Sequence, residues 1–240
     1  MTGAFLERLE QPRPVLLDGA MGTALILRGL DVSRARAPEW SIARPEEVLA
    51  VHRAHVAAGA ELVLTNTFLQ PTDAECAASL RLARDSGARL VGGSLYAGVE
   101  DLAGRVRALA GADVIWLETA VSLAQAERAA EVAQRETALP VVVTLAAFVA
   151  GEARTRPGLL RGFNCGPWGP ATSPRARVLK LDGDGRAPDE WARLLARSGA
   201  QLVGGCCGAT PAHTAALARA LAGREPAHRG PARDDSGGSS

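Results

Sequence analysis

The last periodic stretch of the chain reads QLVGGCCGATPAH, with Cys206 and Cys207 adjacent between glycines, and a third cysteine, Cys165, closes the upstream run LLRGFNC. Four cysteines in 240 residues, two of them neighbours, do not make a disulfide framework, because a ring closed between adjacent residues is strained and staples nothing. Thiolates are instead metal ligands and nucleophiles. Three sulfur ligands leave one tetrahedral position open on Zn2+, the arrangement of a reactive site and not of a closed structural one. Three thiolates also make the metal a poor activator of water and a good host for an exogenous thiol. A free thiol has a pKa of about 8.5 and is mostly protonated at neutral pH, whereas coordination ionises it and leaves a lone pair for attack. The chemistry implied is in-line alkyl transfer to sulfur. Asp18 and Glu118 close two other apolar runs and offer anionic partners to an ammonium group on the same substrate. An amino-acid thiol fits that pairing. Asn66 and Asn164 also stand at run ends, as candidate substrate contacts or as partners for loop backbone groups.

Positioning these residues is the task of a repeating pattern. Short apolar runs alternate with helical periodicity: VLLDGAM then EEVLAVHRAHVAAGA, ELVLTNTF then AECAASLRLARDSGA, RLVGGSLY then VEDLAGRVRALAGA, DVIWLET then SLAQAERAAEVAQRE. The runs PVVVTLAAF, LLRGFNCG, RVLKLDG and QLVGGCCG follow, the last two flanking PDEWARLLARSGA, and PAHTAALARALAG comes at the end. Near-continuous apolar strands are covered on both faces, which predicts a parallel sheet with right-handed crossovers. Eight strands and six helices predict an α/β fold, a TIM-type (β/α)8 barrel of about 250 residues or less, shortened by helices missing or reduced between strands 5 and 7. An open doubly wound sheet is the alternative. In a barrel the active site forms at the C-terminal ends of the strands, where the residues named above all lie. Strands 6 and 8 share parity, so Cys165 and one of the paired cysteines can face one spot. Both Cys206 and Cys207 contribute only if the backbone turns between them, which glycines at 204, 205 and 208 permit.

Composition narrows the partners. The formal net charge is +1 and aromatic residues make up 4%, so the chain has neither the field nor the stacking surface for nucleic acid. No window approaches the roughly 18 apolar residues of a membrane span, and no signal peptide is apparent, so no membrane association and a cytoplasmic location are expected. Residues 1–223 are expected to form one domain, and 224–240, without apolar periodicity, a disordered tail.

The segments LLDGAMGT, TNTF, WLET, GFNCGP and GGCCGATPAH resemble the homocysteine S-methyltransferase family, in the family's order from about Val15 to Leu221. The resemblance implies a TIM barrel whose zinc is held by Cys165, Cys206 and Cys207, with homocysteine sulfur as fourth ligand. It implies that Asp18 and Glu118 hold the substrate's amino-acid end, helped by backbone amides around Gly19. The methyl donor would be S-methylmethionine, S-adenosylmethionine or a betaine-like compound, and the product methionine. The sequence departs from the family pattern in the short connections after strands 5 and 6, in LDGDG after strand 7 and in GGSLYAG at strand 3. Those loops would hold the donor, so a zinc- and thiol-binding module acting with a partner protein is the alternative. A redox role for the paired cysteines lacks the Cys-x-x-Cys spacing. Cys76 reads as helix core, His213 as a local cap after Pro211, and His52 with His55 as a solvated or packed helix surface. Trp168 takes no role.

Overall fold

In the computed structural model, which describes residues 3–146, 159–165, 176–183 and 185–223, eight parallel strands form a ring. They are β1 (Val15–Leu16), β2 (Leu62–Leu64), β3 (Leu90–Tyr96), β4 (Val114–Ala120), β5 (Val141–Ala146), β6 (Leu159–Asn164), β7 (Val178–Leu181) and β8 (Leu202–Gly205). Each strand from β2 onward pairs with the next in sequence, and β8 pairs with β1. A parallel bridge between Leu17 and Leu62 closes the remaining gap. Closure excludes the open doubly wound sheet, whose order reverses and leaves two edges. The fold is a TIM-type barrel.

The six helical periodicities appear as α4 (Pro45–Ala57), α5 (Asp73–Asp85), α6 (Leu102–Ala108), α7 (Leu123–Glu136), α8 (Pro188–Ala196) and α9 (Pro211–Ala222). Three further helices lie outside that reading: α1 (Ala4–Leu9), α2 (Met21–Leu27) and α3 (Trp40–Ala43), the last preceded by a 3-10 turn at Ala37–Glu39. The periodic pattern did not include them, yet they matter. Phe5 of α1 joins the barrel's inner core, and Arg8 donates from Nε and Nη2 to the two Glu61 oxygens at 2.7 Å each, closing the N-terminal end. At the opposite end, Leu25 and Trp40 pack on Val48 and Val51 and hold the β1–α4 connection over the mouth. The connections after β5 and β6, where helices were expected to be missing, lie outside the described residues, as do Trp168 and the tail from 224.

Inward positions alternate along each strand and change character with height. Leu62, Leu90, Val114, Val142, Leu160, Val178 and Leu202 build the lower interior with Phe5. Two and four residues further on, β4 continues to Trp116 and Glu118, β6 to Gly162 and Asn164, β7 to Lys180 and Asp182, and β8 to Gly204 and Cys206. An apolar floor therefore supports a polar top.

Cys76 is fully buried in α5, as its apolar pattern requires. Of the solvated and packed readings of His52 and His55, the packed one holds: each is 1% exposed on α4, and His55 Nδ1 lies 2.9 Å from Thr214 Oγ1 of α9. Burial, with His55 as a like-charged neighbour, pushes His52 down to about 3, and burial pushes His55 down to about 4. Below about pH 6.5 the unfolded chain binds protons that the folded imidazoles refuse, so stability falls as pH drops toward about 4, by up to about 1.4 kcal/mol per pH unit for each ring. Asp18 acts in the opposite sense, because its carboxyl is raised to about 7 by burial and binds its proton in the fold first. One of the two histidine contributions is thereby offset. Urea unfolding between pH 6.5 and 4.5 is expected to lose about 1 kcal/mol per pH unit, and His52→Phe to flatten that slope.

Candidate functional site

Cys165 follows the last residue of β6 at φ +57°, a left-handed conformation that a non-glycine side chain rarely takes. It turns the thiol toward the end of β8. There the strand stops at Gly205, the N–H of Ala209 bonds the carbonyl of Cys206 at 3.1 Å, and Gly208 takes φ +70°. This tight turn is the one the flanking glycines permit, since its third position needs a positive φ. Backbone bonds from Cys206 N–H to Leu181 O and from Gly183 N–H to Cys207 O, both 2.8 Å, tie the turn to the end of β7.

Cys165 Sγ and Cys207 Sγ come within 3.4 Å. Ligand atoms of Cys165, Cys206, Cys207 and Asp182 all lie within 4.8 Å of one another. Zinc at about 2.3 Å from each sulfur would separate tetrahedral thiolates by roughly 3.8 Å, so this donor set fits the metal in chemistry and spacing. Without a cation the thiols hold one another's protons: hydrogen bonds from Cys206 and then Cys207, with burial, push Cys165 far above the ordinary thiol range. The sequence reading took LDGDG as a loop departure and missed Asp182. Strand order was the available signal, because β7 lies between β6 and β8 and its closing residue must fall between their cysteines.

Beneath the cysteines, Asp18 is 2% exposed; its Oδ2 accepts the Leu64 N–H at 2.9 Å, while its Oδ1 is buried without a hydrogen-bond partner. Glu118 accepts from Ser94 Oγ at 2.6 Å and from Lys180 Nζ at 2.7 Å. Lys180 is 5% exposed, and its ammonium is held charged well above the usual lysine range because Glu118, Cys206 and Asp18 together outweigh its desolvation. This cation was absent from the sequence reading, since a lone lysine in RVLKLDG resembles a solvated strand residue until the register turns it inward. Asn164 uses its amide on Thr119: Oδ1 accepts the Thr119 N–H at 3.1 Å, and Nδ2 donates to Thr119 Oγ1 at 2.8 Å and to Cys206 Sγ at 3.9 Å. Thr119 itself stands at φ +61° beside a register shift in β4. Asn66 Nδ2 donates to Ala37 O at 2.6 Å and Ser41 Oγ at 3.2 Å, which anchors the segment over the mouth. His213 caps α9 through Thr210.

All eight residues singled out from the sequence, Asp18, Gly19, Asn66, Glu118, Asn164, Cys165, Cys206 and Cys207, line one cavity of about 210 Å³, and Lys180 lines it with them. The sequence model described as homocysteine S-methyltransferase matches residues 15–88 and 170–221, more than half of the chain. The chain belongs to the homocysteine S-methyltransferase family. Among solved structures, it is similar to the homocysteine methyltransferase MmuM from Escherichia coli. The metallated form is 23% identical with a TM-score of 0.70, covering 91% of this chain and 99% of that one. The apo form is 23% identical with a TM-score of 0.68, covering 88% and 97%. The tryptophan synthase α subunit of Legionella pneumophila shares the barrel at 12% identity and a TM-score of 0.58, covering 92% and 99%. No curated protein sequence matches. Among the described residues no helix is long and apolar enough to cross a membrane.

Gly19 shows how tightly the turn is seated. A Cβ there would stand 2.4 Å from Ala209 O and 2.5 Å from His55 Cε1. Gly19→Ala is expected to destabilise the fold by about 1–3 kcal/mol and to displace the turn that carries Cys206 and Cys207. Thermal melts with a metal-affinity titration check both effects.

Proposed function

We propose that this chain is a zinc-dependent methyltransferase that moves a methyl group from a sulfonium or quaternary ammonium donor to the thiol of homocysteine, forming methionine. The observation that carries this reading is the convergence of Cys165, Cys206 and Cys207 at the mouth of a cavity whose lower wall bears Asp18, Glu118 and Lys180. Family membership supports it.

When bound, zinc would keep a substrate thiol ionised at neutral pH while leaving its lone pair available. The three cysteines would hold the metal, and Asp182 is the fourth donor within reach. A thiol binds zinc more strongly than a carboxylate does, so substrate would take the position that Asp182 can fill in its absence. Asn164 donates from Nδ2 to Cys206 Sγ and would help orient that ligand for the metal. Asp18 and Glu118 face the substrate's amino-acid end, and the absence of a side chain at Gly19 lets backbone approach it. In the reaction the new S–CH3 bond forms as the donor's C–S+ or C–N+ bond breaks in line, and the donor leaves as a neutral thioether or tertiary amine. Positioning dominates the chain's own contribution, because neither reactant needs a proton moved once the thiol is ionised.

The purified chain is expected to hold zinc at about one atom per chain, the number a single three-cysteine site takes. It is expected to form methionine from homocysteine with at least one of S-methylmethionine, S-adenosylmethionine and betaine. Cys207→Ala should weaken zinc binding by more than about 100-fold and abolish turnover, beyond the 10- to 100-fold typical of an outer-shell change. Asp182→Ala should retain zinc, because the three sulfurs remain. Stoichiometric zinc with no turnover on any donor would refute the enzyme reading.

A further inference from the structure

Lys180 puts a cation where the sequence suggested only carboxylates. Its position on β7 is in register with Asn164 of β6 and Gly204 of β8, and the side chain lines the cavity. Cys206 stands two residues beyond Gly204, one inward layer higher, or roughly 6.6 Å along the strand. A thiol held at the cysteines and reaching down that layer would place its far end beside Lys180.

The charges at that depth favour an anion. Both Glu118 oxygens already accept hydrogen bonds, one from Ser94 and one from Lys180, so the carboxylate is matched by a protein cation before any substrate arrives. Asp18 is raised to about 7 by burial and is half protonated near neutral pH. Its Oδ1 is buried and lacks a hydrogen-bond partner, so in the protonated form it can donate to an incoming oxygen. The Lys180 ammonium has three donors, of which Glu118 takes one. A substrate ammonium would therefore meet one neutralised and one half-neutral carboxyl. A substrate carboxylate would meet an ammonium and an acid proton.

We propose that Lys180 is a specificity-determining residue that binds the carboxylate of the thiol substrate, so that the site selects its thiol by the carboxylate more than by the ammonium. The inference rests on the metal-bound thiol of the preceding section and names what holds the substrate's other end. The favoured substrates are carboxylate thiols with about three carbon atoms between sulfur and carboxyl carbon, a spacer that matches one layer of the barrel.

Binding to the protein loaded with cobalt(II) tests this without turnover, because a thiol joining the metal changes its visible absorption. Four probes are compared: homocysteine, mercaptobutyrate, which lacks the ammonium, mercaptopropylamine, which lacks the carboxylate, and propanethiol, which lacks both. Loss of the ammonium is expected to weaken binding by less than about tenfold, and loss of the carboxylate by about 10- to 100-fold, the range of a charge-assisted hydrogen bond. Lys180→Met is expected to weaken homocysteine and mercaptobutyrate by that same factor and leave mercaptopropylamine unchanged or tighter. Should Lys180→Met fail to fold with Glu118 left unpaired, the double variant Lys180→Met, Glu118→Gln removes both charges, and the carboxylate preference is expected to vanish in it too. Thiols that join the metal with a larger penalty for the missing ammonium than for the missing carboxylate would overturn the role of Lys180 alone. So would an unchanged affinity for mercaptobutyrate in either variant. No absorption change with any probe would overturn the thiol site itself and this inference with it.

Discussion

Three thiols crowded around one point repel as ions and gain little as neutral groups, so their convergence must be imposed by the rest of the fold. Cys165 reaches the cluster only through a left-handed residue at the end of β6, and Cys206 with Cys207 only through a turn that needs a positive φ at Gly208. Such conformations cost of order 1–3 kcal/mol at a non-glycine residue and persist where the surroundings over-determine them. Here the surroundings are the parallel ladder of β6, β7 and β8 and the backbone bonds from β7 to the turn. A bound cation would relieve the remaining repulsion, which is why the donor set reads as a metal centre.

The site also depends on a division along the barrel axis. Large apolar side chains fill the lower interior, where Val114, Leu62 and Leu90 are fully buried and Phe5 closes the end. Glycines at 92, 162 and 204 occupy the next level because their neighbours leave no room for a Cβ. One layer above them Ser94, Glu118, Asn164 and Cys206 face the cavity, and Lys180, in register with Gly204, lines it as well. Burying Glu118 and Lys180 together is tolerable because each charge is matched and hydrogen-bonded. Asp18 has no such match and keeps its proton to higher pH instead.

Much of this was legible in the sequence. Uninterrupted apolar runs with helical spacing between them required a parallel sheet, and the polar residue closing each run marked the strand ends where a barrel does its chemistry. That is why eight residues spread from Asp18 to Cys207 could be assigned to one place. Periodicity puts His52 and His55 on one side of α4 but leaves open whether that side is solvated or packed, because it does not reveal that α9 meets His55 there. The short helices α1 and α3 were passed over because a turn or so of helix carries too few residues to set a period.

By itself, the sequence determined the residue types and the order of elements, and with them a parallel α/β sheet and the sulfur donors at its strand ends, because hydrophobic period and strand count are properties of the chain read locally. Tertiary structure alone decided which inward residues meet across strands. Register brought Lys180 to Glu118, and Asp182 between Cys165 and Cys206. A lysine and an aspartate in RVLKLDG have no partners until neighbouring strands supply them, and a strand slipped by one residue would turn both away from the cavity.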